Sequence, residues 1–176
     1  MKVEDLFGVT FGSIVTDIDL EELDEKTWLD LLELWIARAL VIFPDAWLSA
    51  ETQDDFARRF GDLEFPRTAI SNMGKDGKLY KEMTDDVVKV IRGNEGWHHD
   101  STYMPVQAKA AVFSAEIIPK SGGATGWADM RAAYDALDDD IRARISGMQA
   151  YHSYYYSQGR DGYLPSEQND DGTYNY

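Results

Sequence analysis

Near the middle of the chain stands the run Trp97-His98-His99-Asp100-Ser101-Thr102-Tyr103. A histidine and an aspartate two residues apart bring an imidazole and a carboxylate to one face of an extended strand, because strand side chains alternate with a period of two. That spacing places His98 and Asp100 to grip one metal ion together, with His99 facing the other way. One imidazole and one carboxylate are two thirds of the facial triad of non-haem Fe(II) sites. Downstream comes Gly122-Gly123-Ala124-Thr125-Gly126-Trp127, where a hydroxyl follows two glycines able to turn tightly. Each motif alone also fits an ordinary role: a hydrogen-bonded structural histidine, or a strand threonine after a flexible turn.

The elements that must position these groups read as short strands interleaved with helices. Phe7 to Ile18 is β-branched and predicts strands with a turn near Gly12-Ser13. From Asp24 to Leu40, Trp28, Leu31, Leu32, Trp35, Ile36 and Ala39 recur at helical spacing, with Asp24 as N-cap. Leu40-Val41-Ile42-Phe43 is a short buried strand stopped by Pro44. Ser49 then caps a second helix that turns Phe56 and Phe60 inward and ends at Gly61. Residues 64–79 read as a loop with a turn at Asp76-Gly77. Val87–Ile91, Trp97–Thr102 and Ala108–Ile118 are predicted strands. Asp129 is the predicted cap of a third helix, with Tyr134, Leu137, Ile141 and Ile145 on its buried face. From Tyr151 onward the chain holds seven of its ten tyrosines and few aliphatic residues, so 151–176 reads as a loop or lid.

The 176 residues suit a single domain spanning 1–176, and 44% hydrophobic content is enough for a core. A formal net charge of −15 repels polyanions, so neither nucleic acid nor an anionic membrane is an expected partner. The absence of cysteine excludes disulfides, thiolate metal sites and cysteine nucleophiles. Together with an acidic start, Met1-Lys2-Val3-Glu4-Asp5, that lacks an apolar signal region, it points to the cytoplasm. Neither His-Glu-x-x-His nor Gly-x-Ser-x-Gly occurs, which disfavours zinc and serine hydrolases.

Beyond the two motifs, Gly12 through Leu20, the helix leading into Leu40-Val41-Ile42-Phe43, Phe56 through Phe60-Gly61-Asp62-Leu63, and Ala132-Ala133-Tyr134-Asp135-Ala136-Leu137 stand in one order. Over about residues 5 to 150 this sequence resembles the taurine dioxygenase family of iron(II)/2-oxoglutarate-dependent oxygenases. The resemblance implies a mainly β fold with flanking helices, a double-stranded β-helix or jelly roll. It implies Fe(II) held by His98 and Asp100, and 2-oxoglutarate whose distal carboxylate accepts a hydrogen bond from Thr125. Small-molecule substrate and O2 complete the expected partners, and a homo-oligomer stays open. Asn94 matches a substrate-facing position and is equally at home as a turn residue. Tyr103 follows the metal motif and lines the pocket or belongs to the core.

The resemblance has gaps. The family often has an acidic residue where Ala124 stands. Its sulfonate-binding histidine has no counterpart in Glu64-Phe65-Pro66-Arg67, and the run Asn94 to Pro105 looks closer to the phenoxypropionate-type and uncharacterised branches. Arg67 or Arg92 could meet an anionic substrate, or lie at the surface. The third iron ligand, a late histidine near an arginine that pairs with 2-oxoglutarate, is expected beyond Tyr176, so the jelly roll is expected to be incomplete at its C-terminus. The remaining histidine, His152, follows the third helix, where family members often carry a histidine that does not bind metal. Two other readings stay open: a non-catalytic fragment or pseudoenzyme, and a cupin-like metal-binding protein.

Overall fold

A computed structural model of the chain describes residues 1–74, 76–82 and 84–160. In chain order its elements are β1 (Lys2–Asp5), β2 (Ser13–Thr16), α1 (Glu25–Arg38), β3 (Val41–Ile42), α2 (Ala50–Arg58), α3 (Asp86–Gly93), α4 (Met130–Asp135), α5 (Asp139–Ile145) and α6 (Tyr154–Arg160). They divide between two units: Met1–Asp62 with Ala110–Met148, and Leu63–Lys109 with Gln149–Tyr176. No described helix is long and apolar enough to cross a membrane.

The first unit is organised around a three-stranded mixed sheet of order β1-β2-β3. β1 and β2 pair antiparallel, with Val3 opposite Val15, whereas β2 and β3 pair parallel, with Ser13 opposite Val41. Parallel neighbours need a crossover, and α1 supplies it. The Asp24 carboxylate accepts the Thr27 N–H at 2.6 Å and so starts α1 where the sequence predicts. Gly12 precedes β2 with φ +89°, a conformation that favours glycine; a Cβ there would press on the Leu6 side chain, 2.6 Å from its Cδ1, so conformation is the stronger requirement. Ser13, fully buried, donates its hydroxyl proton to Asp5 at 2.6 Å and ties β2 to β1.

One face of α1 closes the core. Val15, Leu20, Leu23, Trp28, Leu31 and Phe56 are buried together, with Phe43 and Phe60 packed against them. The rings meet edge to face, Trp28 with Phe60 at 5.0 Å and Trp35 with Phe60 at 5.3 Å between centroids, the arrangement aromatic quadrupoles favour. Ser49 caps α2 by accepting the Thr52 N–H at 3.2 Å. The later segment of this unit is tied back by polar contacts. Gln53 donates its amide to the Val112 carbonyl at 3.1 Å, and Arg131 donates to the carbonyls of Ile36 and Ala37, each at 3.1 Å. These two carbonyls belong to the last turn of α1, where helix oxygens lack intrahelical partners.

In the second unit, the turn at Asp76-Gly77 forms as predicted: Gly77 donates its N–H to the Gly74 carbonyl at 2.9 Å, and Met73 bridges Leu79. Val87–Ile91 is not a strand but part of α3. A short apolar run does not by itself separate strand from helix. Here Val88 and Ile91, three residues apart, are both half-buried, and the Lys89 N–H closes a helical turn onto the Asp85 carbonyl at 3.0 Å.

Other expectations also need correction. The strands expected within Phe7–Ile18 lie at Lys2–Asp5 and Ser13–Thr16, with the connecting turn before Gly12. Trp97–Thr102 and Ala108–Ile118 form no strand; a β-rich segment becomes a strand only when a neighbour takes its N–H and C=O groups. The third helix is two helices. Asp129 caps α4 as expected, accepting from the N–H groups of Arg131 and Ala132, but Arg142 donates to the Asp135 and Leu137 carbonyls at 2.9 Å each and so satisfies the end of α4. Tyr134, Ile141 and Ile145 consequently stay exposed. Within 151–176, Tyr154–Arg160 is helical, and 161–176 lies outside the described residues. The described residues hold three short strands and more helix than strand, so a mixed sheet with helices stands where a mainly β fold was predicted.

Candidate metal centre

The loop after α3 carries His98 and Asp100, the two residues expected to hold a metal. Residues 97–99 belong to no helix or strand and a turn begins at Asp100, so His98 and Asp100 meet at the start of a turn rather than along a strand. His98 Nδ1 lies 2.7 Å from the Gly96 carbonyl oxygen. A carbonyl only accepts, so Nδ1 carries a proton, and in the neutral ring Nε2 keeps its lone pair. That Nε2 stands 3.2 Å from Asp100 Oδ1. Neighbouring ligands of an octahedral ion with bonds of about 2.1 Å lie about 3 Å apart, so the pair has the spacing of two adjacent ligands. A lone pair facing a carboxylate has no proton to share, and a cation between them satisfies both. An imidazolium would instead donate to Asp100, which makes proton and metal competitors for one place. Among the described residues no group of three histidines, cysteines or acids able to hold a metal forms, and the exposed His152 joins none.

The turn itself is held in an unusual way. Ser101 has φ +59°, the left-handed region that costs a non-glycine residue about 1 kcal/mol. Its side chain is buried, at 7% exposure, and donates to Glu64 Oε2 at 2.8 Å, a residue thirty-seven positions earlier. The Ser101 carbonyl accepts the Met104 N–H at 3.0 Å. His99 makes its own contacts: its Nδ1 is 3.0 Å from the Asp100 carbonyl and 2.9 Å from the Gln107 amide. Tyr103 stacks at a tilt on Tyr154 of α6, with centroids 5.0 Å apart. Burial, then the nearby Tyr154, Glu64 and Asp100, push the Tyr103 phenol above its ordinary range, so at neutral pH it is a neutral hydrogen-bond donor.

Of the remaining expected site residues, Asn94 and Arg92 share the second unit and Thr125 lies in the first. Asn94 is exposed just beyond α3, donating its N–H to the Ile91 carbonyl at 3.2 Å. Arg92 is paired with Glu95, at 3.2 and 3.0 Å to its two carboxylate oxygens. Thr125 belongs to the first unit and is exposed, two residues after Gly123; Gly122 and Gly123 take positive φ angles of +74° and +65°. Glu64, Ser101 and Tyr154 were not singled out from the sequence. Ser101 stood inside the quoted motif, but nothing local announces a left-handed serine or its partner so far upstream.

Comparison with known proteins follows the same direction. The profile of the taurine catabolism dioxygenase TauD, TfdA family matches residues 2–175. An (S)-phenoxypropionate/alpha-ketoglutarate-dioxygenase of Sphingobium herbicidovorans is 57% identical over 155 residues, covering 88% of this chain and 54% of its own length. An alpha-ketoglutarate-dependent 2,4-dichlorophenoxyacetate dioxygenase of Cupriavidus pinatubonensis is 35% identical, covering 81% of this chain and 55% of its own. The crystal structure of AAD-2 in complex with Mn(II) and N-oxalylglycine superposes with a TM-score of 0.83 at 33% identity, over 97% of this chain and 62% of that one. The chain thus spans about half the length of the curated relatives it matches.

Proposed function

Because the chain belongs to the TauD, TfdA family, we propose that it is the part of an Fe(II)- and 2-oxoglutarate-dependent dioxygenase that supplies two of the three iron ligands. The substrate class is a small anionic molecule of the aryloxyalkanoate or sulfonate type, with the aryloxyalkanoate favoured by the phenoxypropionate and dichlorophenoxyacetate enzymes among the relatives. The observation that carries this reading is the approach of His98 Nε2 to Asp100 Oδ1 at 3.2 Å, with Nδ1 anchored on Gly96. Bound iron with 2-oxoglutarate and O2 would supply the oxidising power, hydroxylating the substrate and releasing succinate and carbon dioxide.

The protein's own groups have narrower tasks. His98 and Asp100 present a neutral nitrogen and a carboxylate oxygen side by side. The anchor on Gly96 fixes which nitrogen points at the ion. Thr125 is assigned to the distal carboxylate of the cosubstrate on the resemblance alone; a short neutral donor suits an anion whose main charge partner is an arginine. Tyr103, kept neutral, offers a phenol proton and an aromatic face to the substrate, and Asn94 an amide. The fold reading that goes with this function is a jelly roll to which this chain contributes one part, with 151–176 as a lid, in a cytoplasmic enzyme. The second reading, a chain without turnover of its own, is favoured by the lack of a third ligand among the described residues.

Succinate release, measured with Fe(II), ascorbate and 2-oxoglutarate over a panel of aryloxyalkanoates and sulfonates, separates the two. The 176-residue chain is expected to give little or none. A version extended by the C-terminal half of the Sphingobium relative is expected to turn over, and to stop when His98 is replaced by alanine. A folded extended protein that ignores every substrate in the panel would overturn the reading.

A further inference from the structure

We propose that Glu64 and Ser101 form a positioning pair that sets Asp100 at the metal, an inference resting on the reading of His98 and Asp100 as ligands. The argument starts from strain. Ser101 directly follows the ligand Asp100 and occupies the left-handed region at φ +59°, where serine is disfavoured. Such a conformation persists only where the surroundings over-determine it. Two contacts do so here: the hydroxyl donates to Glu64 Oε2 at 2.8 Å, and the carbonyl accepts from Met104 at 3.0 Å. The first is the stronger, since its acceptor is charged and the donor is largely removed from water.

The peptide between Asp100 and Ser101 takes its orientation partly from the Ser101 φ angle. Released from Glu64, Ser101 relaxes toward negative φ, and that peptide swings. The Asp100 carboxylate then leaves its place 3.2 Å from His98 Nε2. Neither Glu64 nor Ser101 touches the ion in this scheme; each acts through Asp100. Partners of ligands at this remove typically change metal affinity about 10- to 100-fold when removed.

The test is a Mn(II) titration of the 176-residue chain followed by paramagnetic broadening of the His98 and Asp100 amide signals, a readout that registers weak binding without turnover. Glu64→Ala and Ser101→Ala are each expected to weaken the response about tenfold. Glu64→Gln keeps an acceptor oxygen and is expected to stay close to wild type. Ser101→Gly is expected to retain affinity, because glycine adopts positive φ without a clamp. In the Ser101→Gly background, Glu64→Ala should then have no further effect. A simple loss of folding would not be rescued by glycine. If the wild-type chain responds to Mn(II) and Glu64→Ala responds equally, or if Ser101→Gly is as weak as Ser101→Ala, the positioning role fails while the ligand assignment stands. If the wild-type amides do not respond at all, the ligand assignment itself fails, and the positioning role with it.

Discussion

In the first unit Trp28, Leu31, Val15 and Phe56 are buried together and three edge-to-face ring pairs meet at Phe60. In the second, the buried side chain is Ser101, held by a single carboxylate. All six buried apolar residues among those described, Val15, Leu20, Leu23, Trp28, Leu31 and Phe56, belong to the first unit. The difference separates two ways of fixing geometry. A close-packed apolar cluster spreads its stability over many small contacts. A turn held by one or two hydrogen bonds concentrates it, so that a single atom decides where a neighbouring side chain points.

The contrast breaks most visibly under truncation. Phe56→Ala is expected to destabilise the chain by about 3–5 kcal/mol, the usual loss for a buried aromatic. His98→Ala, half exposed, is expected to change stability by no more than about 0.5 kcal/mol while abolishing the Mn(II) response. Urea unfolding read beside metal titration checks both. Equal stability losses at the two sites would erase the distinction between a region that holds the fold and one proposed to hold an ion.

A finer test uses Tyr103. Its phenol is held above its ordinary range by burial first and by Tyr154, Glu64 and Asp100 after it. The folded chain keeps the proton longer than the unfolded one, so this contribution to stability is complete below the ordinary tyrosine range and is lost as pH rises through the folded value. Ultraviolet difference titration is expected to show one late-ionising tyrosine that disappears in Tyr103→Phe. A titration unchanged by that substitution would mean that Tyr103 is not the phenol held above its ordinary range.

The smallest effect belongs to the first unit. Thr10, then the N–H groups of Ala132 and Arg131, hold the Asp129 carboxyl below its ordinary value. Its contribution is therefore present above the ordinary carboxylate range and lost as pH falls through the folded value. Stability of Asp129→Asn is expected to depend less steeply on pH below about pH 5 than that of the wild-type chain. Parallel slopes would remove Asp129 from the account of acid sensitivity.

What could be read in the sequence was what neighbours along the chain decide. The caps at Asp24 and Ser49 and the helix that begins after Asp24 each depend on residues within a turn or two. The failures share the opposite character. Val87–Ile91 carries strand-forming residues in a helix, because four apolar residues in a run of five leave the period undecided. Ala108–Ile118 has the composition of a strand, but pairing is a property of two segments. In the site, the two-residue spacing of His98 and Asp100 anticipated that their side chains meet, though at the start of a turn instead of along a strand. Glu64 was legible only as the residue standing where a histidine was sought, because its role comes from a contact with Ser101 that no local pattern encodes.

Arg131 reaches back to the carbonyls of Ile36 and Ala37 across more than ninety residues of chain. As the polypeptide emerges from a ribosome, β1, β2, α1 and β3 can assemble from the first forty-odd residues, but the end of α1 waits for its guanidinium until the whole of Leu63–Lys109 has been made. Loop-closure entropy grows only logarithmically with length, so lengthening that intervening stretch adds little to the penalty. The first unit is therefore expected to tolerate insertions between Asp62 and Ala110.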